Sequence, residues 1–554
     1  MQPENLMNRR QFLCYAATLT ATATASMLGY RYLSRPPSLT LNKVGLPLAH
    51  LLRDGELNTL PSREHVCETL ILGSGAAALC AAWTLVKNGY RNILLADGFE
   101  RHGNNAAYAF SGSLNAPSGA HYLALPSAES THMLELLGDL GILQGFDALG
   151  KPVYRETDLV FAPEERLFRD GDWQYGLAPE NDGDTRRFFQ LIGQLKQARG
   201  SDGRKIFAIP IALSSQDKLW RQLDSLTFAQ WLRRERYRSP RLLWYLDYCC
   251  RDDYGQGIEQ VSAFAGLHYF AARGNEHATV LTWQDGLNHI SEGIRAFCGM
   301  RAIKSLPENG ELVFARPTSC AAVATRVLET ADGVEVVLRD VVSGDTRLVR
   351  AKNVICAMPL FVAKRVLAQP EKYGFDVFRL PEYAPWLVSN FVLRGFPKER
   401  LHSELAWDNV VYGSRGLGYV VATNQQINVA KPERTIFTAY SALNHDAPAN
   451  VRRELLQAQP QDLLGYAAQD LLAVYGKGFW QFVEHVDMTV RAHAMAVPKV
   501  GYLADDLLLK LRGHDSQIVF AHGDLSGYSV FEEAAWWGVQ AAKRVLLARG
   551  QIVL

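Results

Sequence analysis

The chain has 554 residues, 48% of them hydrophobic and 21% charged, with 58 Lys and Arg against 57 Asp and Glu. That length exceeds what one hydrophobic core sustains and predicts two lobes. The formal net charge of +1 leaves no basic footprint for nucleic acid, and the eight cysteines show no CxxC or zinc-type spacing, so no metal site is expected.

Taken in order, the chain begins with a candidate export segment. Arg9-Arg10 precede Phe12-Leu13 and an Ala/Thr-rich stretch that runs to Tyr30. This resembles a twin-arginine signal over residues 1–33, with Ala23-Thr24-Ala25 as a small-residue cleavage site. An uncleaved anchor, prolonged by Met27 to Tyr30, and a chance apolar start on a cytoplasmic enzyme are the alternatives. Export of this type carries proteins already folded. It predicts a periplasmic location, the export machinery as a partner, and peripheral or anchored membrane association. Residues 34–66, punctuated by Pro36-Pro37, Pro47 and Pro61, read as an extended tether.

The next stretch organises the rest. Thr69 to Leu72 is a short apolar run of the kind that forms a buried parallel strand. Gly73-Ser74-Gly75 permit a tight turn and close approach of a diphosphate. Ala76 to Lys87 reads as a helix whose first residues, Ala76 and Ala77, present free N–H groups to that phosphate. Asn92 to Ala96 is a second strand, delivering Asp97 and Gly98 toward a ribose. Strand, glycines, helix, strand and acid in this order form a dinucleotide-binding fingerprint, with Ala78 at the third glycine position. The alternative is a tight turn in an α/β core without a ligand.

The run continues Asp97-Gly98-Phe99-Glu100-Arg101-His102-Gly103, with Asn104 next. An acidic residue, a spacer and Arg-x-Gly make the chain resemble the flavin-containing amine oxidase superfamily, with its protoporphyrinogen oxidase and phytoene desaturase relatives. Asn104 stands where a second glycine is usual. The resemblance implies FAD rather than NAD, with Arg101 near its phosphates. It also implies an α/β fold: a discontinuous Rossmann-like FAD-binding domain (residues 67–126, 301–365 and 501–554) and an α+β substrate domain. The latter comprises a helical insertion (127–300) and a sheet (366–500).

The remaining site residues follow from that resemblance and from local chemistry. Ser111 to Pro126 is a Gly/Ser/Pro-rich loop; Gly119-Ala120 would pass the flavin, and His121 is either a substrate-side group or a loop histidine bonded to a carbonyl. Asp252-Asp253, beside aromatics, could hold a cationic substrate or cap a helix. Trp283, in Thr282 to Leu287, lies near the ring or in the core. Val323 opens a hairpin-rich meander and is placed near adenine, and Asn390 lies on a strand where many amine oxidases carry a lysine. The end of the chain, strand then Gly523-Asp524 then a helix, supplies Asp524 for a ribityl hydroxyl, Glu533 and Ala534 beside the cofactor, and Trp537 either toward the ring or in plain packing. His121, Trp283, Asn390 and Trp537 are the candidate catalytic residues.

The expected activity is hydride removal from a small organic substrate, an amine or polyamine first, with dioxygen or another acceptor reoxidising the flavin. A desaturase, dehydroxylase or isomerase of an apolar polyene or terpenoid is the alternative enzyme. An electron-passing flavoprotein without turnover is the alternative outside catalysis.

Overall fold

The computed structural model describes residues 36–57, 60–110, 114–273, 279–307, 310–426 and 432–551. The expected twin-arginine segment lies outside them. Two sheets organise the molecule. In the first, parallel strands run in the order Thr318–Cys320, Ile93–Ala96, Arg63–Leu72 and Thr346–Cys356, and Ile518–Phe520 pairs in parallel with the end of the last. Ala322–Glu329 and Val334–Asp340 add an antiparallel meander. Leu70, Ile71, Ile93 and Leu94 are wholly buried, as strands covered on both faces require.

The helix after the glycine turn, Ala76–Lys87, is buried from Ala77 to Val86. Its small residues let the last helix, Phe531–Ala548, approach closely. A Cβ on Gly538 would lie 2.2 Å from the Ala77 carbonyl oxygen, so only glycine fits that crossing. The first and last parts of the chain thus form one layer.

The second sheet has eight strands in the order Ser38–Lys43, Val483–Ala496, Tyr383–Leu393, Thr435–Ala442, Tyr419–Val421, Asp408–Val411, Glu165–Arg169 and Asp172–Tyr175. Two expectations are corrected here. The supposed tether is folded: Ser38–Lys43 runs parallel to Val483–Ala496, with Ser38 opposite His485, and a helix follows at Leu46–Arg53. The alternation Leu39, Leu41 supplies the apolar face that the prolines obscured. The insertion is also less purely helical than expected. Helices Gly183–Gln197, Phe228–Arg234, Pro240–Tyr254 and Ala263–Ala271 dominate it, but Glu165–Arg169 and Asp172–Tyr175 join the second sheet.

Cys249 and Cys250 are buried and unbridged, and burial pushes both thiols up, which fits packing rather than redox exchange. Among the described residues no helix is long and apolar enough to cross a membrane, and no cluster of His, Cys, Asp and Glu could hold a metal.

Candidate functional site

A cavity of about 930 Å³ lies between the two sheets and reaches from the first glycine turn to the aromatic wall of the second sheet. At one end Gly73 has φ 111°, and a Cβ there would meet the Ala357 carbonyl oxygen at 2.8 Å. Glycine is therefore required by both backbone and space. Gly75 caps the helix Ala76–Lys87 without any side-chain hydrogen bond, so its first-turn N–H groups face the cavity unpaired with a capping oxygen. Ser74 Oγ donates to the Asp97 carbonyl at 2.7 Å and accepts from the His102 N–H at 3.1 Å, which fixes the turn.

Asp97 lines the cavity, its Oδ1 held by the Arg295 guanidinium. Arg295 also donates through Nε to His102 Nε2 at 2.8 Å, and burial pushes the His102 pKa down to about 4. That neutral imidazole is the acceptor Arg295 needs. Sequence reasoning missed Arg295. It comes from Asn288–Phe297, 198 positions from Asp97, and its helix carries no motif that marks it.

The far end of the chain builds the opposite wall. Ile518–Phe520 runs into Gly523 and Asp524, which line the same cavity as Gly73 and Gly75. Asp524 is fully buried. Its Oδ2 accepts from the Tyr383 hydroxyl at 2.6 Å and the Leu360 N–H at 2.9 Å. Burial alone would raise this carboxyl, but the field of His522 and these hydrogen bonds hold it below its usual range. Among the described residues Oδ1 makes no hydrogen bond, although His522 Nδ1 stands 3.1 Å away. A buried, ionised oxygen left open on a cavity wall suits a ligand hydroxyl. Helix N–H groups for a diphosphate at one wall and this oxygen for a polyhydroxyl chain at the other fit FAD.

The departures from the family pattern have local reasons. Asn104, in place of the second glycine, donates through Nδ2 to the Ala494 carbonyl at 2.7 Å and ties the turn to the second sheet. Gly119 passes so close to that turn that a Cβ would lie 2.1 Å from the Asn104 oxygen. Arg491 bridges both, bonding the Ser118 carbonyl at 2.6 Å and Glu100 at 2.9 Å.

At the other end the walls are acidic and aromatic. His121 stacks on Tyr440 with ring centroids 4.2 Å apart, and burial pushes its pKa down to about 3. Tyr122 donates its hydroxyl to Asp252 at 3.1 Å. Asp253 pairs with Arg273 at 2.5 Å, and Glu532 also lines the cavity. Burial, then the charge of Asp253, pushes the Asp252 pKa up to about 6; burial raises Glu532 as well. The hydroxyl of buried Tyr440 has no hydrogen-bond partner among the described residues.

Most sequence-derived candidates meet in this cavity. Gly73, Gly75, Ala76, Asp97, Gly98 and Val323 line the nucleotide end. Gly119, Ala120, His121, Gly523, Asp524 and Ala534 line its middle and far walls. Six do not line it. Ala77 is buried in the core, with its backbone packed against Gly538. Arg101 turns outward to Glu292 at 3.1 Å, both side chains about half exposed at 48% and 47%. Trp283 donates to Asp158 at 2.9 Å and stacks on His289. Asn390 shares a strand face with Trp386 and Val388, which line the cavity, but it bonds the Pro117 carbonyl at 3.0 Å and the Thr438 hydroxyl at 2.7 Å. Glu533 is tied to Ser526, Tyr528 and the Ile211 N–H, and Trp537 donates to Ser526 at 2.8 Å. Successive helical residues point about 100° apart, so Glu532 rather than Glu533 takes the cavity side.

Residues 71–140 match the model of the NAD(P)-binding Rossmann-like domain. No curated protein matches the chain. Among solved structures, putrescine oxidase bound to putrescine superposes with a TM-score of 0.58 at 15% identity, covering 87% of this chain and 99% of that one. Cyclohexylamine oxidase from Brevibacterium oxydans gives 0.57 at 14%, covering 88% and 100%. A conjugated-linoleic-acid-producing (CLA-producing) fatty acid isomerase from P. acnes gives 0.56 at 14%, covering 86% and 98%. The chain therefore has the fold shared by these amine oxidases and this isomerase, with an NAD(P)-binding Rossmann-like segment at its first glycine turn.

Proposed function

We propose that the chain is an FAD-dependent oxidoreductase that removes a hydride from the carbon beside the nitrogen of a small amine. When bound, FAD supplies the two-electron acceptor, and dioxygen or another acceptor returns it to the oxidised state. Gly73, Gly75 and the helix behind them would hold the diphosphate, and Asp524 Oδ1 would accept from a ribityl hydroxyl. His121, Tyr122 and Tyr440 form an aromatic wall against which an ammonium group is favourable. The Asp252 carboxylate attracts that ammonium and takes its proton, leaving the neutral amine that can release hydride.

The observation that carries the reading is electrostatic. Asp252, Asp253 and Glu532 line the cavity together, with Arg273 paired to Asp253. After burial, the charge of Asp253 pushes Asp252 up, against the pull of Tyr122, Arg273 and Arg251, and a bound cation relieves that repulsion. The absence of a lysine at Leu387 to Phe391 is compatible with this chemistry, because Asp252 on the cavity wall provides a proton acceptor.

The test is spectroscopic. The purified protein should show flavin bands, and anaerobic addition of an amine panel should bleach them. Flavin bands without bleaching by any amine, together with positional isomerisation of an unsaturated fatty acid, would move the assignment to the second reading. That reading is favoured by one observation: the cavity mouth is lined by Leu46, Leu48 and Leu52 of an apolar helix. Absence of flavin from protein and denatured supernatant would refute both.

A further inference from the structure

We propose that the cavity mouth is a docking face for an anionic lipid bilayer. The helix Leu46–Arg53 reads LPLAHLLR, yet none of its described side chains is buried. Leu51 is 37% exposed on this helix, and Leu456 at 38% and Phe99 at 47% line the same opening as Leu46, Leu48 and Leu52. An apolar helix that stays half-exposed in the folded chain is short of a covering surface.

The charge around the opening says which surface. Lys364, Arg365 and Arg453 line the mouth and make no ion pair among the described residues, while Arg53 is neutralised by Asp54 at 2.7 Å. The carboxylates that line the cavity, such as Asp252 and Asp524, lie inside it. Leucines ringed by cations match the acyl boundary and the anionic headgroups of a bilayer.

The strand Ser38–Lys43 pins the helix by pairing with Val483–Ala496, and Phe99 packs where a Cβ on Gly45 would clash at 2.2 Å. The helix thus sits at the rim, with Leu51 turned to solvent. This docking is independent of which substrate the cavity accepts.

The test uses the full chain and vesicles of phosphatidylcholine, with and without phosphatidylglycerol. Sedimentation should show partitioning onto the anionic vesicles and little onto the neutral ones. Each basic side chain at an anionic surface is worth about fivefold in partitioning, so Arg365→Glu with Arg453→Glu should lower it at least about 25-fold. Leu51→Glu should lower it as well, with an unchanged circular dichroism spectrum showing that the fold survives. Wild-type partitioning in both variants means the N-terminal run binds alone and overturns the proposal. So does absence of partitioning, or a dimer that Leu51→Glu dissociates, since a second copy would then cover the leucines.

Discussion

The two ends of the one cavity are built on opposite electrostatic plans. At the nucleotide end, polar groups are held by fixed neighbours: Asp97 by Arg295, Ser74 by the Asp97 carbonyl, Arg491 by Glu100. What is left open there is a row of helix N–H groups and one oxygen of Asp524, a shape for one molecule that stays. At the aromatic end Asp252, Asp253 and Glu532 line the cavity together, and the Tyr440 hydroxyl has no hydrogen-bond partner among the described residues. That end carries stored repulsion that an exchangeable cation removes. A permanent ligand calls for satisfied surroundings, whereas a ligand that comes and goes is attracted by unsatisfied ones.

The sharpest way to break this comparison is Asp524→Ala. It strips the acceptor from the Tyr383 hydroxyl and the Leu360 N–H and removes the open oxygen, each loss worth about 1–3 kcal/mol. FAD affinity, measured by fluorescence titration, should fall at least about a hundredfold; an unchanged affinity removes Asp524 from the site. Next is Asp252→Asn. Asp252 ionises with a pKa of about 6, so attraction for a cation grows as pH rises through 6. The variant should lose amine affinity strongly at pH 8 and little at pH 5, which a pH series of binding titrations measures.

Glu533→Gln tests stability rather than binding. Burial pushes the Glu533 pKa up to about 7. Between its unfolded value, about 4.5, and 7 the folded chain holds a proton that the unfolded chain releases, so stability falls as pH rises through that window. The glutamine variant should show a shallower fall in Tm from pH 4.5 to 7 while keeping its FAD affinity. The smallest effect is expected for Arg101→Ala. Its pair with Glu292 is half exposed and worth at most about 1 kcal/mol, and FAD affinity should change less than about twofold. A large loss would restore the phosphate role that the resemblance implied.

The nucleotide half was far more legible than the other. Gly73, Gly75, Asp97 and the Gly523-Asp524 pair could be placed because their geometry is enforced locally, by a positive φ at Gly73 and by strands that are apolar throughout. Trp283, Asn390 and Trp537 could not be placed, because which way a side chain points depends on what is packed opposite it. Trp283 found Asp158, Asn390 found Pro117 and Thr438, and Trp537 found Ser526. The strand Ser38–Lys43 was hidden for the same reason, since its pairing partner lies at Val483–Ala496.

The sequence by itself determined the Rossmann-like turn, the identity of its two distant halves and the chance to bind a dinucleotide, because backbone sterics and hydrophobic period act over a few residues. Only the tertiary structure decided that Arg295 holds Asp97, that Arg101 faces solvent, and that Asp252, Glu532 and Tyr440 converge on one wall. Those outcomes are set by burial and by charges brought together from remote parts of the chain, and such energies exist only once the chain has folded.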